Sequence, residues 1–376
     1  MALGAVRALD IAVITYYLVL FLAIAVGCLF LQRSDRDSTS CRFQYVIVVS
    51  LLFALQSGLR HADVGLDTQA YYIMFTEAQD STWNDVATRF SDVYINGIGK
   101  DGGYDVFQWL ASFICPSYQC FLLLIAGLFF IALGTFVYRN TASLADCMIA
   151  LVLYSCLFYS FYSITGHRQT VATSGALLGY ELIKQRRLVW FVLLMTLMAT
   201  IHASCLVFIP MYWLYSSRYA KILLVGSLIL CPILLATGSQ VLTFIKTHIA
   251  YSDYHSQYDG LTPYTFTLLI VTTALVSLWR IGLVTAMRRD TSPYFIALAM
   301  AIVTTPLVWF DPNAMRVVQY YSLFLLVLIP AVANSFSKQS HRGIRFEPLC
   351  ALLIILVALS VKGESYVGYK FFWQAD

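Results

Sequence analysis

A chain of 376 residues with 60% hydrophobic residues, only 12% charged ones and a mean hydropathy of +0.74 lies far outside soluble composition, in which charged residues make up about a quarter. A water-soluble globular protein is thereby excluded, and a net charge of +4 is too small and too scattered for nucleic-acid binding. The bilayer must be the solvent, so the division of charge between its two faces carries the information.

The first apolar run, Ile11 to Leu31, exceeds a signal-peptide core and lacks a small-residue cleavage motif, so it is kept as a membrane span. A spanning helix needs about 20 apolar residues, and fewer inside a bundle. This predicts an all-α, polytopic transmembrane helical bundle, one membrane domain over 1–376. It has about twelve crossings: 11–32, 43–59, 117–138, 145–165, 169–183, 187–201, 203–217, 220–237, 263–285, 293–310, 316–337 and 347–361. His202 and Pro210 interrupt the stretch 187–217, whose two short segments also fit one broken hairpin. Of the nine cysteines, Cys28, Cys147, Cys156, Cys205, Cys231 and Cys350 fall in apolar spans and read as small core residues. Cys115 and Cys120 are spaced for a small disulfide or for two free thiols, and no CxxC or His/Cys metal spacing occurs.

Placing the 33–42 link (Arg33, Arg36, Arg42) in the cytosol puts fourteen of the 24 basic residues inside and nine outside, with both termini out. Arg280 sits within a span about two turns from the inner face, where it is expected to snorkel. Fourteen of the twenty acidic residues lie outside, Asp63, Asp67, Glu77, Asp253, Asp259 and Asp311 among them, so the outer face is the polar, elaborated one. Its largest element, the outer loop 60–116, carries two amphipathic patterns at helical spacing. These are Trp83, Val86, Ala87 and Phe90, then Val106, Phe107, Leu110, Phe113 and Ile114. They predict interfacial helices. A second outer loop, 238–262, holds Tyr251, Asp253, Tyr254, His255, Tyr258 and Asp259, a mixture suited to sugar rings and equally to an ordinary aromatic belt.

Arginine at the outer end of a span opposes both the positive-inside bias and the helix dipole. Arg168 opens the fifth span, Arg316 lies in the first turn of the eleventh, and Arg60 closes the second at the same face. A shared anion would relieve the repulsion, helix N-termini add backbone N–H groups, and phosphate is the natural candidate. The alternative is three separate arginines pairing with Asp63, Asp67 or Asp311. Asp67 and Asp311 both stand where an N-cap belongs, and Asp67 also shares a segment with Arg60, His61 and Asp63. His202 lies between two apolar runs and is either a hydrogen-bonded core residue or a proton acceptor, with His167 a competitor beside Arg168. Ala172, Gly175 and Gly179 predict a close-packed fifth span that turns Arg168 toward the bundle axis.

Gly58-Leu59-Arg60 followed by Val64-Gly65-Leu66-Asp67 and Tyr71 resembles the entry motif of the EpsG-like family of Wzy-type polysaccharide polymerases. Arg168-Gln169 with Ala172, after the aromatic residues Tyr159, Phe161 and Tyr162, is similar to the family's Arg-Gln motif. His202 with Ser204 is similar to its His-x-Ser hairpin, and Arg316 with Tyr320 and Tyr321 to its late Arg and Tyr span. The resemblance covers roughly residues 45–335. Gly102-Gly103-Tyr104-Asp105 stand where the family carries an acidic residue before the third span, and His167 is particular to this chain.

The resemblance implies a GT-C-like bundle in the cytoplasmic membrane that works without cofactor or metal and joins undecaprenyl-pyrophosphate-linked repeat units, as glycan donor and acceptor, on the outer face. Arg60, Arg168 and Arg316 would hold the departing pyrophosphate, with His202 or Asp67 as the base. Gln169, Tyr71, Tyr320, His167 and Asp311 would contact substrate. Membrane lipids and a chain-length regulator protein are the implied partners. The competing readings are a polyprenyl-phosphate-sugar-dependent GT-C glycosyltransferase, which would carry paired carboxylates in the first outer loop where only Asp10 precedes the first span, a lipid A-core type ligase, whose major outer loop falls late in the chain, and a non-enzymatic lipid-linked glycan transporter, for which charges deep within several spans would be expected.

Overall fold

The computed structural model describes residues 2–65, 67–215, 219–248, 263–337 and 369–374. Its contacts group into two units, the first drawn from 1–182, 189–206 and 346–376, the second from 183–188 and 207–345. No strand occurs among the described residues; extended pairing is limited to one bridge between Arg60 and Phe371.

The first unit is built on α1 (Ala2–Leu31), α2 (Thr39–Gly58), α3 (Thr68–Asp80), α4 (Trp83–Tyr94), α5 (Gly102–Ser112), α6 (Tyr118–Asn140), α7 (Leu144–Leu157), α8 (His167–Lys184) and α9 (Leu188–Ile201), with a π-helical stretch at Ser160–Thr165. Short polar residues start these helices as their chemistry requires. Ser38 accepts from the Cys41 amide and Ser117 from the Cys120 amide, while Thr82 with Asp85 and Ser143 with Asp146 form capping boxes. At the end that the charge count assigns to the cytosol, Arg42 donates to the carbonyls of Tyr138 (2.8 Å) and Thr141 (2.7 Å), closing the last turn of α6. The Asp37 carboxylate accepts from the Leu144 amide at 3.0 Å.

Aromatic packing forms the centre of this unit. Phe53 stacks on Phe130 with centroids 5.7 Å apart, and Phe129 stacks on Tyr162 at 5.1 Å. A buried cluster of Phe75, Tyr104, Phe121, Ile125, Val171 and Ile201 fastens α3 and α5 of the outer segment to α6, α8 and α9. The 60–116 segment therefore contributes side chains to the core. Both predicted amphipathic patterns are helices, α4 and α5, with Val86 fully buried and Trp83, Leu110, Phe113 and Ile114 exposed. The small residues of α8 pack as expected: Gly175 meets Met198 and Gly179 meets Phe191, seating α8 against α9.

The second unit contains α10 (Met211–Leu214), α11 (Ala220–His248), α12 (Tyr264–Met287), α13 (Ser292–Val308), α14 (Met315–Ser322) and α15 (Leu325–Ser337). Arg280 is buried, donates to the Ser335 carbonyl and hydroxyl, and lies 4.2 Å over the Phe336 ring.

By length and apolarity, four helices among the described residues suffice to cross a bilayer, Thr39–Gly58, Tyr118–Asn140, Ala220–Phe244 and Tyr264–Met287, and Pro312–Ser322 with Leu325–Phe336, bent by 53°, makes a fifth if the pair is one span. Of the other predicted spans on described residues, 11–32 falls on the 30-residue α1 and 169–183 lies in the 18-residue α8, while 145–165, 187–201, 203–217 and 293–310 coincide with shorter helices, some of them next to chain breaks. One break is the π-helical turn after α7, another the non-helical His202, followed by a 3₁₀ segment (Ala203–Phe208) and the four-residue α10 in place of a continuous 203–217 helix. The 347–361 span, residues 249–262 of the second outer loop with their tyrosines, His255, Asp253 and Asp259, and also Leu66, Arg218, Lys338, Arg342, Arg345 and Cys350 lie outside the described residues. Cys115 and Cys120 are free thiols.

Candidate functional site

The turn after α2 sets the position of Arg60. Gly65 adopts φ +109°, and a Cβ there would stand 2.5 Å from Thr68 Oγ1 and 2.8 Å from the Ile164 carbonyl, so the close approach of this turn to the segment before α8 requires glycine. Thr68 Oγ1 donates to the Val64 carbonyl at 2.7 Å, and the Tyr118 hydroxyl donates to the Thr68 carbonyl at 3.0 Å. Gln119 donates to the carbonyls of Gly58 and Arg60. The turn is thus pinned from both sides, and the π-helical stretch delivers His167 and Arg168 at the start of α8 beside it. Such π insertions re-aim side chains where a regular helix could not.

Arg60, 2% exposed, donates to the Ser57 carbonyl and, through Nη2, contacts His167 Nε2 at 2.6 Å. A guanidinium only donates, so His167 Nε2 must accept and its proton resides on Nδ1. Among the described residues no carboxylate pairs with Arg60. Asp63, one expected partner, pairs instead with His61 and Lys370, each at 3.2 Å. The His167 ring stacks on Tyr71 with centroids 4.3 Å apart and planes 16° apart.

Arg168 is tied to a residue that the sequence reading did not select. Its Nη1 lies 3.1 Å from Asp101 Oδ2, and the same oxygen is 3.4 Å from His202 Nδ1. Its guanidinium lies 5.2 Å from the Tyr104 ring and 5.8 Å from that of Tyr71. Asp101 holds the left-handed conformation (φ 56°, ψ 37°) at the start of α5, a strain of about 1–2 kcal/mol for a residue with a Cβ. Gly103 then lets α5 close on α9: a Cβ there would fall 2.1 Å from Thr200 Oγ1 and 2.8 Å from the Thr200 carbonyl carbon. Tyr94 reinforces the junction by donating to the Thr200 carbonyl at 3.0 Å. Burial acts to raise the Asp101 carboxyl, but His202 and Arg168 more than offset it and hold it below its ordinary value. For Asp105, one residue past Tyr104, burial prevails and its carboxyl is raised, Arg89 at 4.0 Å and Arg168 offsetting only part.

Six buried polar atoms of this cluster have no hydrogen-bond partner: Arg60 Nε, His167 Nδ1, Arg168 Nε, His202 Nε2, Tyr104 Oη and Gln108 Nε2. An orphaned buried polar group costs about 1–3 kcal/mol, so a ligand or buried water that met these atoms would be held strongly. Among the described residues no group of three or more His, Cys, Asp or Glu stands together as a metal site.

The expected residues divide between the units. Arg60, Tyr71, His167, Arg168 and His202 come together in the first, with Gln169 buried in the first turn of α8. Asp67 belongs to the first unit but stands apart: its exposed side chain makes no capping bond, because its backbone is helical (φ −100°, ψ −4°) and not extended as an N-cap requires. Arg316 and Tyr320 are in α14 of the second unit, and there Asp311 is a true cap, accepting from the Asn313 amide at 2.9 Å. Asp101 is the member of this cluster that was not singled out from the sequence. Its sequence signal, Lys100-Asp101-Gly102-Gly103, is that of an ordinary turn.

The family model described as EpsG family matches residues 43–372, most of the chain. No curated protein matches it, and no solved structure does.

Proposed function

The chain belongs to the EpsG family of Wzy-like polysaccharide polymerases, and from that premise we propose that it joins undecaprenyl-pyrophosphate-linked oligosaccharide repeat units into a surface polysaccharide on the outer face of the cytoplasmic membrane. The observation that carries this reading is the Arg168–Asp101–His202 relay. Asp101 holds His202 through Nδ1–H, which leaves the lone pair of Nε2 without a protein partner, the arrangement of a general base with its orienting carboxylate.

In the proposed step, Nε2 of His202 takes the proton of an acceptor hydroxyl as that oxygen bonds to the anomeric carbon of the donor glycan. The bond from that carbon to the lipid pyrophosphate breaks, and the electron pair leaves with the pyrophosphate. Arg60, which no carboxylate pairs among the described residues, and Arg168, which meets Asp101 through one arm of its guanidinium, are the cations suited to that leaving group. The proton on His202 then passes to solvent. In this reading the base is His202 in preference to Asp67, which is exposed and makes no capping bond, and to His167, whose Nε2 is occupied by Arg60.

Arg168→Ala tests the reading in cells and with purified protein. Polymer should vanish while protein level and single-repeat glycolipid remain. Long chains persisting in that variant would remove the arginine from the leaving-group role.

A further inference from the structure

Two of the orphaned groups belong neither to the base nor to the cations. Tyr104 and Gln108, 0% and 1% exposed, stand four residues apart and so one turn along the same face of α5, the helix whose start carries Asp101. Tyr104 Oη and Gln108 Nε2 are buried without partners. The Tyr104 ring is 5.6 Å from that of Tyr71 and 5.2 Å from the Arg168 guanidinium, so this face borders the relay. A helix face that served only packing would be served by phenylalanine and leucine at these positions, because a buried polar atom without a partner is destabilising. The pair supplies an O–H and an N–H donor one helical turn apart, which suits an oxygen acceptor on a sugar, a hydroxyl or an acyl carbonyl.

We propose that Tyr104 and Gln108 form the sugar-recognition subsite of the repeat unit, hydrogen-bonding a polar ring substituent while Arg60 and Arg168 meet the pyrophosphate. This rests on the glycosyl-transfer reading above and adds to it the residues that distinguish one glycan from another. A site built to hydrogen-bond a substituent discriminates strongly against analogues lacking it, because its own buried groups are then left unmatched.

The test uses full-length protein in nanodiscs and two probes: the lipid-linked repeat unit that accumulates in cells lacking this protein, and undecaprenyl pyrophosphate without a glycan. Tyr104→Phe and Gln108→Leu should each weaken binding of the repeat unit about tenfold, worth about 1.4 kcal/mol, and leave undecaprenyl pyrophosphate binding unchanged. Their thermal unfolding midpoints should equal or exceed the wild-type value, since an unmatched buried group has been removed. Unchanged affinity for the repeat unit, or equal weakening toward both probes, overturns the proposal, as does a lowered midpoint with unchanged binding, which would mark the two groups as structural and satisfied by buried water. Polymer formation by wild-type protein is scored in parallel. Selective binding loss without wild-type polymerisation would keep the subsite and sink the polymerase reading, whereas polymerisation unaffected by either variant would do the reverse.

Discussion

Asp101 Oδ2 lies 3.4 Å from His202 Nδ1 across 101 residues of sequence, and the contact fixes which imidazole nitrogen faces a protein partner and which does not. The same carboxylate oxygen meets Arg168 Nη1 at 3.1 Å, so in the proposed reaction Asp101 positions both His202 and Arg168.

Asp101→Asn should lower polymerisation by about a hundred- to ten-thousand-fold, since an amide no longer selects the tautomer that leaves Nε2 free. It also carries a pH signature. The folded-state carboxyl lies below its ordinary value of 3.8, so its stabilising contribution is complete above that pH and is lost as pH falls through the depressed folded value. Wild-type thermal midpoints should owe nothing to this group's titration between pH 7 and pH 5 and should decline on the acid side of 3.8, a decline that Asp101→Asn lacks. Melting curves across that range, scored beside activity, check both parts.

Asp67→Asn provides the contrast. Its side chain is exposed and caps nothing, so the substitution should leave stability within about 0.5 kcal/mol and polymer length near wild type. A large activity loss would return Asp67 to the chemistry.

Gly103→Ala should force α5 from α9, because the new Cβ meets the Thr200 backbone as well as its side chain. The overpacking cost is about 1–3 kcal/mol. Activity should fall further than the midpoint suggests, because the displaced element carries Asp101. Gly65→Ala, at φ +109°, should destabilise by about 1 kcal/mol or more through backbone strain and its clash with Thr68.

Arg168→Lys retains the charge and can still pair with Asp101, but it loses the planar fork that meets Asp101 through one arm while presenting the rest of the guanidinium to tyrosine rings and ligand. The protein should fold and yield little polymer. Polymer at wild-type length would mean that a point charge suffices.

The helical positions were legible because apolar runs and caps are local signals, and Arg168 and His202 stood out as polar residues at odds with apolar or outer-end positions. Pairings were not legible. Arg60 meets His167 over 107 residues, and Asp101 meets His202 over 101, distances at which no periodicity speaks. Asp101 itself hid within Asp-Gly-Gly, which reads as a turn, and its left-handed backbone shows that it is one. Asp67 and Asp311 look alike as cap candidates, and only their backbone angles separate them: ψ −4° for Asp67 against 110° for Asp311. The π-helical turn was not legible, because apolar composition persists through it.

The most direct measurement compares wild-type protein with His202→Gln in reconstituted vesicles supplied with lipid-linked repeat unit, following chain length and release of undecaprenyl pyrophosphate. Wild type should build multi-repeat chains, and the variant should bind the repeat unit equally well yet extend it about a hundred- to ten-thousand-fold more slowly. Extension by His202→Gln at the wild-type rate would contradict a site built on the Asp101–His202 pair.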